Sequence, residues 1–177
     1  MTERKVDNLL LLEFFKLGFN SEDFLRICRD NLAYQLLPTE GYKELLKQML
    51  SYFKEHKYIP TIGSMSQLFS SPLKSEKEEM IRQEVYQLIY QINQTPLPQY
   101  SSCVLALERF IKEGTQQNLI QDAANFWNKN QKEKAMNLML EKAKFLSTFS
   151  LGKKPYPGVS FFKDWKTIVE EAKTLIS

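Results

Sequence analysis

One histidine, His56, and two cysteines, Cys28 and Cys103, are all that the chain offers for soft-metal or thiol chemistry. A serine or cysteine nucleophile needs a base within hydrogen-bond reach, and a zinc site needs three or four ligands at short spacings. Neither cysteine stands at such a spacing from the other or from His56. The carboxylate pairs Glu78-Glu79 and Glu170-Glu171 are sequence neighbours, so on a helix they point apart instead of converging on one proton. Gly152-Lys153-Lys154 lacks the upstream glycine and the hydroxyl residue of a phosphate-binding loop, and no glycine-rich dinucleotide turn occurs. The expectation is a chain that is not an enzyme, with no catalytic residue, no metal and no cofactor.

The elements that carry these residues repeat at helical spacing, so the expected class is all-α. Val6 to Leu17 is apolar nearly all round, as in a buried helix, and Gly18 is expected to end it as a C-cap in the left-handed region. Asn20 or Ser21 can cap a second helix whose apolar face is Phe24, Leu25, Ile27 and Cys28. Pro38-Thr39 opens a third, with Tyr42, Leu45, Leu46, Met49, Leu50 and Phe53 at three- and four-residue steps. That helix runs out at His56 into SYFKEHKYIPTIGSMSQLF (51–69), where Pro60 forces extended backbone before it and Thr61 can cap a short fourth helix. The polar connector SSPLKSEKEE becomes the capped start of a fifth helix, with a buried stripe of Met80, Ile81, Val85, Leu88, Ile89 and Ile92.

NQTPLPQY is the clearest break in the chain. Beyond it, a helix from about Ser101 to Trp127 and another from about Lys132 to Phe149 are joined by the turn-like NKNQKEK, which predicts an antiparallel hairpin. Gly114, inside the first arm, marks a bend or close packing. GKKPYPGVS then reads as a linker to a final amphipathic helix, Phe161 to Ile176. The expected organisation is a helical globular head (1–98), a protruding antiparallel helical hairpin (99–150), and a linker with a C-terminal docking helix (151–177). The recurring aromatics, among them Phe14, Phe15, Tyr52, Phe53, Tyr86, Tyr90, Phe126 and Trp127, lie at helical spacing and are expected in the core.

With 43% hydrophobic and 25% charged residues, the 177-residue chain has the composition of a soluble globular protein. No apolar run is long enough to span a bilayer. MTERKVDNLL starts like a signal peptide, but its apolar stretch is too short and has no cleavage site. The expected location is cytoplasmic, with both thiols reduced and buried. Net charge is +3, unevenly placed: residues 1–128 hold 14 Lys+Arg against 16 Asp+Glu, and residues 129–177 hold 10 against 5. An acidic partner for the last quarter and an ordinary solvated helix face are both consistent with that asymmetry.

The corner GYKELLKQMLSYFKEHKYIPTIGSMSQLF, especially Tyr42, Leu46, Tyr52, Pro60, Thr61 and Leu68, resembles the N-terminal domain of hexameric replicative DNA helicases of the DnaB class, the phage members most of all. LERFIKEGTQQNLIQDAANFWNKNQKEKAMNLMLEKA is similar to the helical hairpin of that domain, and FSLGKKPYPGVSFFKDW to the linker leading to the motor. The likeness covers most of the chain in the right order, and departs from the family at Gly114-Thr115-Gln116-Gln117 and in having no motor. It implies a non-catalytic collar domain in which hairpins of neighbouring subunits pair, and which offers surfaces to primase and helicase loaders.

The resemblance assigns pairing into a homo-oligomer to Trp127, Met136 and Leu140. It assigns docking on a helicase motor domain to Phe161, Trp165, Ile168 and Val169. The expected function is therefore a protein-interaction module of a DNA replication complex, mediating ring assembly and primase or loader contact, or a stand-alone relative that loads or inhibits a replicative helicase. The alternative is a salt-sensitive nucleic-acid-binding protein working through the basic last quarter. There Lys129, Lys132, Lys134, Lys142, Lys144, Lys153 and Lys154 are the candidates for phosphate contacts. DNA is a secondary partner in the first reading, and a membrane is a partner in neither.

Overall fold

Five helices of the N-terminal half each begin at a side chain that takes up one of the free amides of the first turn. Asp7 accepts from the N–H of Leu9, Ser21 from Phe24, Thr39 from Tyr42, Thr61 from Ser64 and Ser75 from Glu78. In the computed structural model, which describes residues 7–70 and 75–151, these caps open α1 (Asn8–Gly18), α2 (Glu22–Asn31), α3 (Glu40–His56), α4 (Ile62–Leu68) and α5 (Glu76–Gln94). A 3₁₀ turn, Tyr34–Leu36, links α2 to α3, and α6 (Tyr100–Asn128) and α7 (Lys132–Thr148) complete the order. The protein is all-α, with no strand among the described residues. The candidate docking residues Phe161, Trp165, Ile168 and Val169, and Lys153 and Lys154, lie outside them.

The chain divides into two compact units, residues 1–107 and 108–177. In the first, α5 packs on α1, α3 and α4, and α1 packs on α2. The core between them holds Leu11, Phe24, Leu45, Met49, Met65 and Ile92, all essentially inaccessible. Phe24 sits 6.2 Å from the Phe14 ring and edge-on to Tyr100 at 6.4 Å, so the first turns of α6 belong to this core. Cys103, Val104 and Leu107 are buried there too. The proline-rich segment does break the helix, with residues 95–99 outside any helix. The border between units nevertheless falls nine residues after the expected residue 98, because the chain re-enters the first core before leaving it.

Two further expectations are corrected. Gly18 ends α1 but does not turn left-handed; Phe19 follows it with φ −77. Its role is close approach: a Cβ there would lie 3.3 Å from Met49 Cε and 3.8 Å from Leu25 Cδ1. Met80 is 69% exposed and Ile81 only half-buried, so the stripe of α5 begins at Val85. Tyr86 and Tyr90 also face outward, although the Tyr86 hydroxyl donates to the Phe69 carbonyl at 3.1 Å.

The corner after α3 is made as its residues require. Lys57 closes the helix in the left-handed region (φ 66) and donates its N–H to the Phe53 carbonyl at 3.0 Å. Pro60 is buried, and Thr61 and Ser64 exchange side-chain and backbone hydrogen bonds in a capping box that starts α4. Met65 then enters the core and Leu68 stays exposed. Beside the corner the rings of Tyr52, His56 and Tyr58 form a surface cluster, His56 lying 4.2 Å from Tyr52.

A carboxylate fixes the other end of α3. Glu84, on α5, accepts from the Gly41 N–H at 3.0 Å and from the Thr39 hydroxyl, so it satisfies a free amide across two helices. The Tyr42 hydroxyl donates to Asn8, and burial, then the nearby Glu84 carboxylate, push its pKa up to about 12. A Cβ on Gly41 would stand 2.4 Å from Glu84 Cδ. Gly41→Ala therefore has to displace the carboxylate, and should lower stability by about 1–2 kcal/mol despite the better helix propensity of alanine. Thermal melting should show the loss, and Glu84→Ala in the same background should add little to it. A Gly41→Ala chain that melts at or above wild type would refute this account of the glycine.

Candidate interaction surface on the helical hairpin

In the second unit, α6 ends in a paired hydrogen-bond pattern. Asn130, at φ 58, donates to the Trp127 carbonyl and Gln131 to the Phe126 carbonyl, both at 2.9 Å. This is a Schellman closure with asparagine in the left-handed position, and α7 begins at once beyond it. The turn sends α7 back along α6, and the return is tied at its far end. Glu108 accepts from the Leu151 N–H at 2.9 Å and the Ser150 hydroxyl at 3.4 Å, while Lys112 pairs with it at 2.6 Å. The two arms are therefore antiparallel, as expected from the short connector.

Glu108 is a buried carboxylate, and its role was hidden in the sequence because its partners are 42 and 43 residues away. Burial alone pushes its pKa up, but the hydrogen bonds from Lys112, Leu151 and Ser150 outweigh this and hold it below the usual carboxylate value. A depressed folded-state pKa contributes stability that is present above the unfolded value and is lost as pH falls through the folded one. Glu108→Gln should cost about 1–3 kcal/mol at neutral pH. Its melting temperature should fall below wild type there and converge with it as pH drops below the ordinary carboxylate range. A gap between the two that stays constant with pH would show that the charge is not what matters.

What α7 gives to the hairpin is small. Ala135 and Ala143 are its buried residues, two turns apart, and Leu138, Met139 and Leu146 are only half-buried. In α6 the buried residues of this unit are Phe110, Ile111, Leu119 and Ala123, with Gly114 also buried and the helix continuous through it. Alanines bury little area, and larger side chains of α7 stay uncovered. Met136 is 48%, Leu140 60% and Phe145 39% exposed. Met136 and Leu140 are one turn apart, so they share one side of α7. Phe145 was not singled out from the sequence; nine residues from Met136, it lies on the other side of α7, and its ring stacks on Phe149 at 5.0 Å.

Of the expected pairing residues, Met136 and Leu140 are thus exposed together, while Trp127 is half-buried. The Lys132 ammonium lies 5.3 Å from the Trp127 ring centroid, a cation–π contact that engages one of the candidate phosphate-binding lysines. Lys129, Lys134 and Lys144 are exposed. Among the described residues no group of three His, Cys, Asp or Glu side chains could hold a metal ion, and no helix is long and apolar enough to cross a membrane. Both cysteines are buried and unbridged. Burial, then the proximity of the other thiol, pushes the Cys28 pKa up, and burial, then Glu13, raises that of Cys103 to about 12. Neither thiol has the ionised character of a nucleophile.

Comparison of the chain with protein-family models, curated proteins and solved structures gives no match.

Proposed function

We propose that this chain is a non-catalytic protein-interaction module of a DNA replication complex, working like the N-terminal collar of a replicative helicase or as a stand-alone relative that loads or inhibits one. The observation that carries the interaction half of this reading is the uncovered apolar side of α7, where Met136 and Leu140 stand out one turn apart while the residues that α7 buries are alanines. Large apolar side chains grouped on one helix face mark a surface that gains by being covered. A second copy of the hairpin is the natural cover, since like faces of antiparallel helices are self-complementary about a two-fold axis. The replication half rests on the resemblance of the corner and hairpin sequences to the collar domain. Primase, a loader or a helicase motor domain are the partners it names.

Size-exclusion chromatography with light scattering, on the chain alone and mixed with a cognate helicase, primase or loader, tests both halves. The expected results are a concentration-dependent oligomer and co-elution with one of the three. A strict monomer that co-elutes with none would refute the proposal.

A further inference from the structure

A groove of about 680 Å³ lies in the first unit between α2, the 3₁₀ turn and α3. Five cations line it: Arg26 and Arg29 from α2, and Lys47, Lys54 and Lys57 from α3 and its cap. Among the described residues no carboxylate is in its wall. The floor is apolar, made by Leu50 and the buried Phe53 ring, with the Tyr34 ring at the side, 39% exposed.

The cations differ in how committed they are. Arg26 pairs with Glu22 and lies 5.4 Å over the Phe53 ring, Arg29 pairs with Asp30, and Lys47 reaches Glu44 at 3.7 Å. Each of those acids stands outside the lining. Lys54 and Lys57 make no ion pair among the described residues. Lys47 and Lys54 are two turns apart on one side of α3, about 10 Å along its axis, and Lys57 extends the row past the helix end. A row of positive charge along the hollow, with an apolar floor and an accessible ring, fits a ligand that is itself a row of negative charges bearing flat apolar faces.

We infer that this groove binds a single-stranded nucleic acid, with Lys47, Lys54 and Lys57 tracking the phosphates and Tyr34 stacking an unpaired base. Paired bases hide the faces that such a floor requires, so a duplex gains only the phosphate contacts. An acidic peptide would satisfy the lysines but has no need of the tyrosine ring, whereas a single strand offers both a charge and a flat face at each step. The hollow has the size of a site for one nucleotide-scale group at a time, continued by the charged rim.

The test is fluorescence anisotropy of the full chain with labelled oligothymidylate over a series of salt concentrations. Lys54→Gln with Lys57→Asn removes the two unpaired charges; asparagine tolerates the left-handed backbone at 57, so the fold is retained and circular dichroism will confirm it. Each phosphate contact on a single strand adds about −0.7 to the slope of log K against log salt. The double variant should bind at least about tenfold more weakly, with a slope shallower by about 1.4, twice that increment. Tyr34→Leu should weaken binding about tenfold, one stacked base, without changing the slope. Lys132→Gln with Lys134→Gln should change neither quantity, and the duplex form of the same oligonucleotide should bind less tightly. The proposal is overturned by any of three results: no binding by the wild-type chain; loss of binding in the 132/134 variant and not in the 54/57 variant; or displacement by polyglutamate at equal charge with Tyr34→Leu silent, which would assign the groove to an acidic peptide.

Discussion

Replacing Met136 and Leu140 together by glutamate should reduce the proposed oligomer to a monomer of 20.8 kDa while the far-ultraviolet dichroism and melting temperature stay close to wild type. Both side chains are largely exposed in the single chain, so the folded unit loses little when they become polar. In an interface the half or so of each that is still exposed would be removed from water, a contribution of about 1–1.5 kcal/mol apiece. Two charges facing their own copies across a two-fold axis add repulsion and desolvation on top of the lost burial. The expected weakening of self-association is therefore about a hundredfold at the least, using 1.4 kcal/mol per factor of ten. Light scattering across a dilution series reads it directly. Alanine at the same positions should give a smaller shift in the same direction. If the double glutamate chain keeps the wild-type mass, the exposed side of α7 is not where copies meet. If it falls to monomer but also loses its helical signal, Met136 and Leu140 act within the fold, and the interface reading fails for a different reason.

The parts of the molecule that could be read from the sequence are those whose cause is local. Thr39, Thr61 and one of the pair Asn20 and Ser21 announce helix starts because a short polar side chain before an apolar run has one evident use; Thr39, Thr61 and Ser21 perform it. The arms of the hairpin, read as 101–127 and 132–149, are found at Tyr100–Asn128 and Lys132–Thr148, since both ends are set by neighbouring residues. What escaped was non-local. Glu84 and Glu108 look like ordinary surface acids in the chain, yet each holds an amide distant in sequence. Gly18 has the position of a left-handed cap and is instead small because Met49 approaches it. The basic groove was hidden by averaging: residues 26–57 hold 6 Lys+Arg against 4 Asp+Glu, a near-neutral stretch until folding places the cations of α2 and α3 on one side and their acids on another.

The same non-local logic fixes where the first unit ends, and the consequence is large enough to measure. A chain stopped after Pro98, at the break that the prolines advertise, should fail to fold cooperatively, whereas one stopped after Glu113 should melt as a unit. The difference lies in the first turns of α6. Cys103, Val104 and Leu107 are buried in the first unit, and Tyr100 closes over the Phe24 ring. Removing them exposes Phe24 and Cys28 and forfeits at least two large apolar side chains of the core. At about 1.5–3 kcal/mol for each large side chain, plus the newly opened surface on α2, the loss is on the order of 5 kcal/mol or more. A small domain has only about 5–15 kcal/mol in total, so the shorter piece is left near or below the threshold of stability. Leu107→Ala in the full chain samples the same contact more gently, and should cost about 2–5 kcal/mol because that side chain has no accessible surface. Urea titration of the two truncated chains, followed by tyrosine fluorescence and dichroism, decides the matter. Coincident unfolding midpoints for the two would mean that α6 adds nothing to the first core, and that the prolines, not Leu107, mark its edge.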